Sequence, residues 1–222
     1  MIYLSGCLPS KPEMQQLLFD NQIGLMLTPF SQRHTRGLEG DWLWAADNGC
    51  FANKWDEAIW LKWLKGFSES SKALFATVPD VVADHEKTVE RWHQYHQQVS
   101  SLGFKPAFVL QDGADMASMP WDTMGCLFIG GTTQFKLSDT ARAFCTEAKS
   151  RSIWVHMGRV NSLKRMLIAK EWGVDSTDGT YLAFGPDVNT PKLVSMVQRT
   201  KNATVDILLP FTTPSEGEPN GK

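Results

Sequence analysis

Short apolar and β-branched runs recur along the chain and alternate with longer stretches whose apolar positions repeat every three to four residues. The first kind of run suits a strand buried on both faces, and the second suits an amphipathic helix. On this pattern strands are predicted at residues 2–5, 24–27, 43–46, 73–78, 107–110, 126–129, 153–156 and 174–177. Helices are predicted at 13–21, 56–68, 86–102, 138–150, 162–172 and 190–200, with irregular connections after the second and fifth strands. Regular strand–helix alternation implies a parallel sheet, and eight units favour closure into a compact (β/α)8 TIM-type barrel over an open doubly wound α/β sheet.

Length changes this picture little. A chain of 222 residues that is 42% hydrophobic can bury a full core, and one domain over residues 1–210 is expected. The remaining residues, 211–222, are rich in Pro, Gly and charge and read as a flexible tail. A formal net charge of -2 gives no global attraction to polyanions, so any nucleic-acid site must be a local patch. Cys7, Cys50, Cys126 and Cys145 are widely spaced. That spacing suits neither a zinc ribbon nor a disulfide framework, and reduced thiols in a cytoplasm are the simplest expectation. The start of the chain carries no basic leader, and no apolar run reaches the roughly 20 residues of a membrane helix, so a soluble cytoplasmic protein without a membrane partner is expected.

In a parallel barrel the chemistry sits at the carboxyl ends of the strands. Those positions are polar here: Asp47 in "ADNGCF", Asp80 and Asp84 in "VPDVVADHE", Gln111 in "VLQDG", Gly130 and Gly131 in "FIGGTT", then "VHMGR", and finally "GVDSTDG" with Asp175 and Asp178. Taken singly, each is ordinary turn chemistry. Their convergence on one rim points instead to paired carboxylates for acid–base work and nucleophilic attack, as in glycosyl transfer.

These segments, in this order between about Asp47 and Asp178, resemble the tRNA-guanine transglycosylases, and more closely the shorter deazaguanine-inserting DNA transglycosylases of phages and bacteria. "ADNGCF" is similar to the family's Asp-Ser-Gly-Gly-aromatic segment, "VADHE" to its Asp-Glu-Cys, "VLQDG" to its Val-Gln-Gly-Gly, "VHMG" to its Leu-Met-Gly, and "GVDSTD" to its Gly-Val-Asp-Met-Phe-Asp. "FIGG" carries the family's Gly pair. The resemblance implies a barrel in which Asp178 is the nucleophile and Asp47 the general acid/base. Phe51 and Met157 would sandwich a base whose hydrogen-bonding edge is read by Asp84, Gln111 and the backbone at Gly130, Gly131 and Gly158, and Asp175 would be structural. It also implies no cofactor, with DNA and a free 7-deazaguanine base as partners, alongside a second copy or a partner protein. The tRNA enzymes add a zinc-binding subdomain whose clustered Cys and His ligands are missing here, which favours DNA over RNA. Other functions with the same pocket are guanine exchange in tRNA, an N-glycosidase that uses water, and a binding protein without turnover.

Four further features have competing readings. Arg33, His34 and Arg36, and separately Arg159, Lys164 and Arg165, could contact phosphate or be solvated surface charge. His85, His93 and His96 lie too far apart along a helix to favour one metal ion. Trp55, Trp60 and Trp63 at helical spacing favour core or interface over nucleic-acid stacking, and Cys50, without a His partner in sequence, favours packing over nucleophilic attack.

Overall fold

The computed structural model describes residues 1–30, 41–53, 55–67 and 73–204. Arg33, His34, Arg36 and the tail at 211–222 lie outside the described residues. Strands β1 (Ile2–Ser5), β2 (Gly24–Leu27), β3 (Trp44–Ala46), β4 (Ala73–Thr77), β5 (Pro106–Leu110), β6 (Cys126–Ile129), β7 (Trp154–Met157) and β8 (Ser176–Gly179) are all parallel. Each pairs with the next, and β8 pairs with β1, so the sheet closes on itself and leaves no edge. The protein is therefore a compact (β/α)8 barrel.

Helices α1 (Pro12–Asp20), α2 (Glu57–Lys65), α3 (His85–Ser101), α4 (Thr133–Lys136), α5 (Asp139–Ser150) and α6 (Leu163–Glu171) lie in the connections, and α7 (Pro186–Asn202) follows β8. Local chemistry starts five of them: Asp56, Asp84, Thr132, Ser138 and Ser162 each accept a hydrogen bond from a backbone N–H of the first turn of α2, α3, α4, α5 and α6 respectively. α7 begins four residues earlier than predicted. Pro186 occupies its first turn, and Pro191 sits close enough to the start that little of the hydrogen-bond ladder is lost.

Side chains alternate between two layers. Leu4, Met26, Ala45, Phe75, Ala107 and Cys126 pack inside the ring with Phe128 and Trp154, whereas Leu25, Trp44, Phe108, Ile129, Val155 and Met157 pack outward with the helices. The tryptophan stripe belongs to that outer layer: Trp60 is fully buried, and both it and Trp55 meet Tyr95 edge-on. β8 begins two residues later than predicted. Gly173 turns left-handed (φ 75°) and the Val174 N–H still bonds the Ala169 carbonyl, so those residues finish the α6 turn before the strand begins.

That shift separates the two aspartates. Asp175, at the foot of the strand, accepts both the Lys149 ammonium (2.8 and 2.7 Å) and the Val155 N–H (2.8 Å), tying α5 to β7. Asp175→Asn is therefore expected to lower stability by about 1–3 kcal/mol, the cost of a charge-assisted bond, while leaving turnover unchanged. A thermal melt read beside an activity assay checks both halves.

Candidate active site

The strand tops open into a cavity of about 170 Å³ whose walls include Asp47, Phe51, Asp80, Gln111, Gly130, Gly131, Gly158, Arg159 and Asp178. Its polar residues converge from β3, β4, β5, β6, β7 and β8, as a barrel mouth requires. A larger hollow of about 820 Å³ lies on the flank beside α5, between Trp121 and Arg142, but it is open to solvent and touches none of these strand ends. Of these two, the mouth cavity is the one with convergent chemistry.

Asp178 is held from two sides. Its Oδ2 lies 2.8 Å from His156 Nε2, and its Oδ1 accepts the Arg159 backbone N–H at 3.1 Å. Arg159 reaches this position through a left-handed backbone (φ 58°), and the preceding Gly158 carbonyl accepts the buried Lys136 ammonium at 2.6 Å. Desolvation, together with the charge of Arg159, lowers that ammonium to about 7. Gly158 itself is required, since a Cβ there would lie 2.6 Å from the Phe128 ring and 3.3 Å from Asp178 Oδ2.

Asp47 differs. Burial, followed by the negative charges of Asp178 and Asp80, pushes its pKa from 3.8 up to about 7. A carboxyl poised there can give a proton in one step and take one in the next at neutral pH. Asp80 is also raised by burial, and each of its oxygens is oriented by a hydrogen bond, which leaves acceptor capacity on both: Oδ1 accepts Asn48 Nδ2 at 2.9 Å and Oδ2 accepts Gln111 Nε2 at 2.7 Å. Gln111 Oε1 then accepts the Ala83 N–H, so this amide is locked in one orientation.

At the rim Phe51 is 60% exposed, with the Arg159 guanidinium 4.2 Å above its ring. The same guanidinium donates to the Gly131 carbonyl. Gly131 adopts φ 70°, and a Cβ would meet the Asp112 carboxylate, which anchors Thr132.

Several expected site residues stand elsewhere. Met157 is fully buried in the outer layer and does not line the cavity, because the strand's period of two sends it away from the mouth when Gly158 faces it. Asp84 caps α3, accepting from the Lys87 N–H (3.0 Å) and the Lys87 ammonium (2.6 Å), and Asp80 takes its place at the cavity wall. Lys164 is exposed on the first turn of α6, and Arg165 donates to the Arg159 carbonyl at 3.3 Å; neither lines the cavity. Cys50 has its thiol pushed up to about 12, chiefly by burial, which leaves it inert as a nucleophile. Among the described residues no group of three or more His, Cys, Asp or Glu is placed to hold a metal ion, and no helix is long and apolar enough to cross a membrane. His156 was missed in the sequence, although counting back by two from Gly158 would have found it.

No family model and no curated protein matches the sequence. Among solved structures, the chain is similar to one described as "Native KDPGal structure" (10% identity, TM-score 0.56, covering 90% of this chain and 92% of that one). It is also similar to a cube-shaped, highly porous protein cage designed by fusing symmetric oligomeric domains (11% identity, TM-score 0.55, covering 90% of this chain and 70% of that one). At such identity the likeness is one of fold, and it agrees with the closed parallel ring.

Proposed function

We propose that this chain is a transglycosylase that exchanges guanine in DNA for a 7-deazaguanine base through a covalent glycosyl-aspartate intermediate. The observation that carries it is the pair of aspartates on one small cavity, Asp178 fixed by two donors and Asp47 poised near neutrality. Asp178 attacks C1′ of the target nucleotide. The new C–O bond forms as the bond from C1′ to the purine nitrogen breaks, and Asp47 gives the departing base its proton. The incoming base then loses a proton to Asp47, bonds to C1′ and frees Asp178, so two inversions restore the original anomeric configuration.

The remaining walls suit a flat heterocycle. At about 170 Å³ the cavity is smaller than the roughly 300–1,000 Å³ typical of sites for drug-sized ligands, and fits a single base. Phe51 offers an aromatic face at the rim, where stacking contributes about 1–3 kcal/mol per base. Asp80 and Gln111, rather than Asp84, supply the polar edge, and Arg159 is the basic side chain on the cavity wall among the described residues.

The deciding experiment incubates the protein with duplex DNA or tRNA and radiolabelled guanine, then chases with a 7-deazaguanine base. Label entering DNA and leaving on the chase is the expected result. Label entering tRNA alone would move the substrate to RNA, base release without incorporation would make the protein a hydrolase, and retention without turnover would make it a binding protein.

A further inference from the structure

Behind Asp178 a buried hydrogen-bond chain runs down the inside of the barrel. Trp154 Nε1 donates to Ser176 Oγ at 2.9 Å, Ser176 Oγ lies 2.8 Å from His156 Nδ1, and His156 Nε2 lies 2.8 Å from Asp178 Oδ2. The register makes this so: His156 pairs with Ser176 across β7 and β8, and residues two apart on each strand share the inner face. Ser176 and His156 are fully buried, and the imidazole is walled in by the rings of Phe75 (5.0 Å) and Phe128 (4.5 Å).

The donors and acceptors along this chain can be assigned. An indole N–H only donates, so it occupies a lone pair of Ser176 and leaves the hydroxyl hydrogen for His156 Nδ1. His156 then carries its proton on Nε2 and gives it to the Asp178 carboxylate. The alternatives, a charged imidazolium and the neutral Nδ1–H tautomer, would each leave the Ser176 hydrogen without a partner in a dry site; burial independently disfavours the first, and the second would turn the Nε2 lone pair towards the Asp178 carboxylate. Serine, histidine and aspartate here do not make a hydrolase nucleophile, because Ser176 is sealed from any substrate.

We propose that His156, fixed as the neutral Nε2–H tautomer by Ser176 and Trp154, is the positioning residue for Asp178. This rests on Asp178 being the nucleophile. His156 and the Arg159 N–H pin one carboxylate oxygen each, which sets the plane of the attacking group. Neutrality matters in the second half of the reaction. Once Asp178 is an uncharged glycosyl ester, a buried imidazolium would have lost its counter-charge, whereas a neutral donor still has an ester oxygen to bond.

The test combines a spectrum with three variants. In protein carrying 15N-labelled histidine, the His156 imidazole is expected to show the neutral Nε2–H pattern, and Ser176→Ala to erase that preference. His156→Leu is expected to lower kcat for base exchange roughly a hundredfold with KM for DNA unchanged, the scale of a nucleophile displaced by about 1 Å. His156→Gln, whose amide can place an N–H where Nε2 stood, should recover kcat to within about tenfold of wild type. A charged or Nδ1–H imidazole overturns the proposal, as does wild-type kcat in His156→Leu or a glutamine variant no faster than the leucine one. Where leucine destabilises the fold, the wild-type spectrum and the glutamine variant still decide. Should the wild-type protein exchange no base, the proposed function falls while the spectrum still rules on the tautomer, so the two failures are distinguishable.

Discussion

Asp178→Asn is expected to abolish base exchange, lowering kcat by about 10⁴-fold or more while DNA is still bound, because the amide cannot form the glycosyl ester. Trapping the covalent DNA adduct on denaturing gels gives the direct readout: present with wild-type protein, absent with the variant. A variant that exchanges base at the wild-type rate would remove Asp178 from the chemistry. The substitution has a second expected effect. The Asp178 charge is, after burial, the main reason the Asp47 pKa is high, so Asp47 should titrate at lower pH in the variant. Carboxyl 13C shifts followed through a pH titration measure this directly.

Asp47→Asn is expected to slow exchange by roughly 10²–10⁴-fold, the usual contribution of a positioned proton donor, with base stacking at Phe51 preserved. For wild type, kcat/KM should fall as pH rises past about 7, where Asp47 loses the proton it must give to guanine. The variant should lack that limb, and retention of it would assign the limb to another group. The substitution should raise stability while it lowers activity. A carboxyl whose folded pKa is raised favours the fold only while protonated, and that advantage is lost progressively between pH 3.8 and about 7. Above pH 7 the wild type carries the full cost of an ionised, desolvated Asp47. The variant should therefore melt several degrees higher than wild type at pH 8, with the gap closing towards pH 4.

Much of this site could be read from the chain because barrels translate sequence into position simply. Eight apolar runs gave eight strands, and the polar segments after the last six pointed to the rim. What the sequence obscured was phase. Met157 and His156 are neighbours, both plausible near a base, and only the period of two, anchored on Gly158, assigns His156 to the interior and Met157 to the helix layer. Asp80 and Asp84 both follow β4. An aspartate directly before a long amphipathic stretch is also a helix cap, and that local demand captured Asp84. The arrangement of Arg159 was not legible at all. Its left-handed backbone exists because Asp178, Lys136 and Gly131 hold the turn from three directions, contacts made by residues 19 to 28 positions away.

The two-layer alternation also determines which genetic changes the site can absorb. Loops at the mouth can lengthen or shorten while the strands beneath stay fixed. A single-codon deletion within β7 or β8 does something different in kind: it rotates every residue above it by half a turn, and so trades His156 or Asp178 for a neighbour that points into the helices. Homologues that retain activity should therefore vary in loop length and hold the spacing of these two strand segments constant.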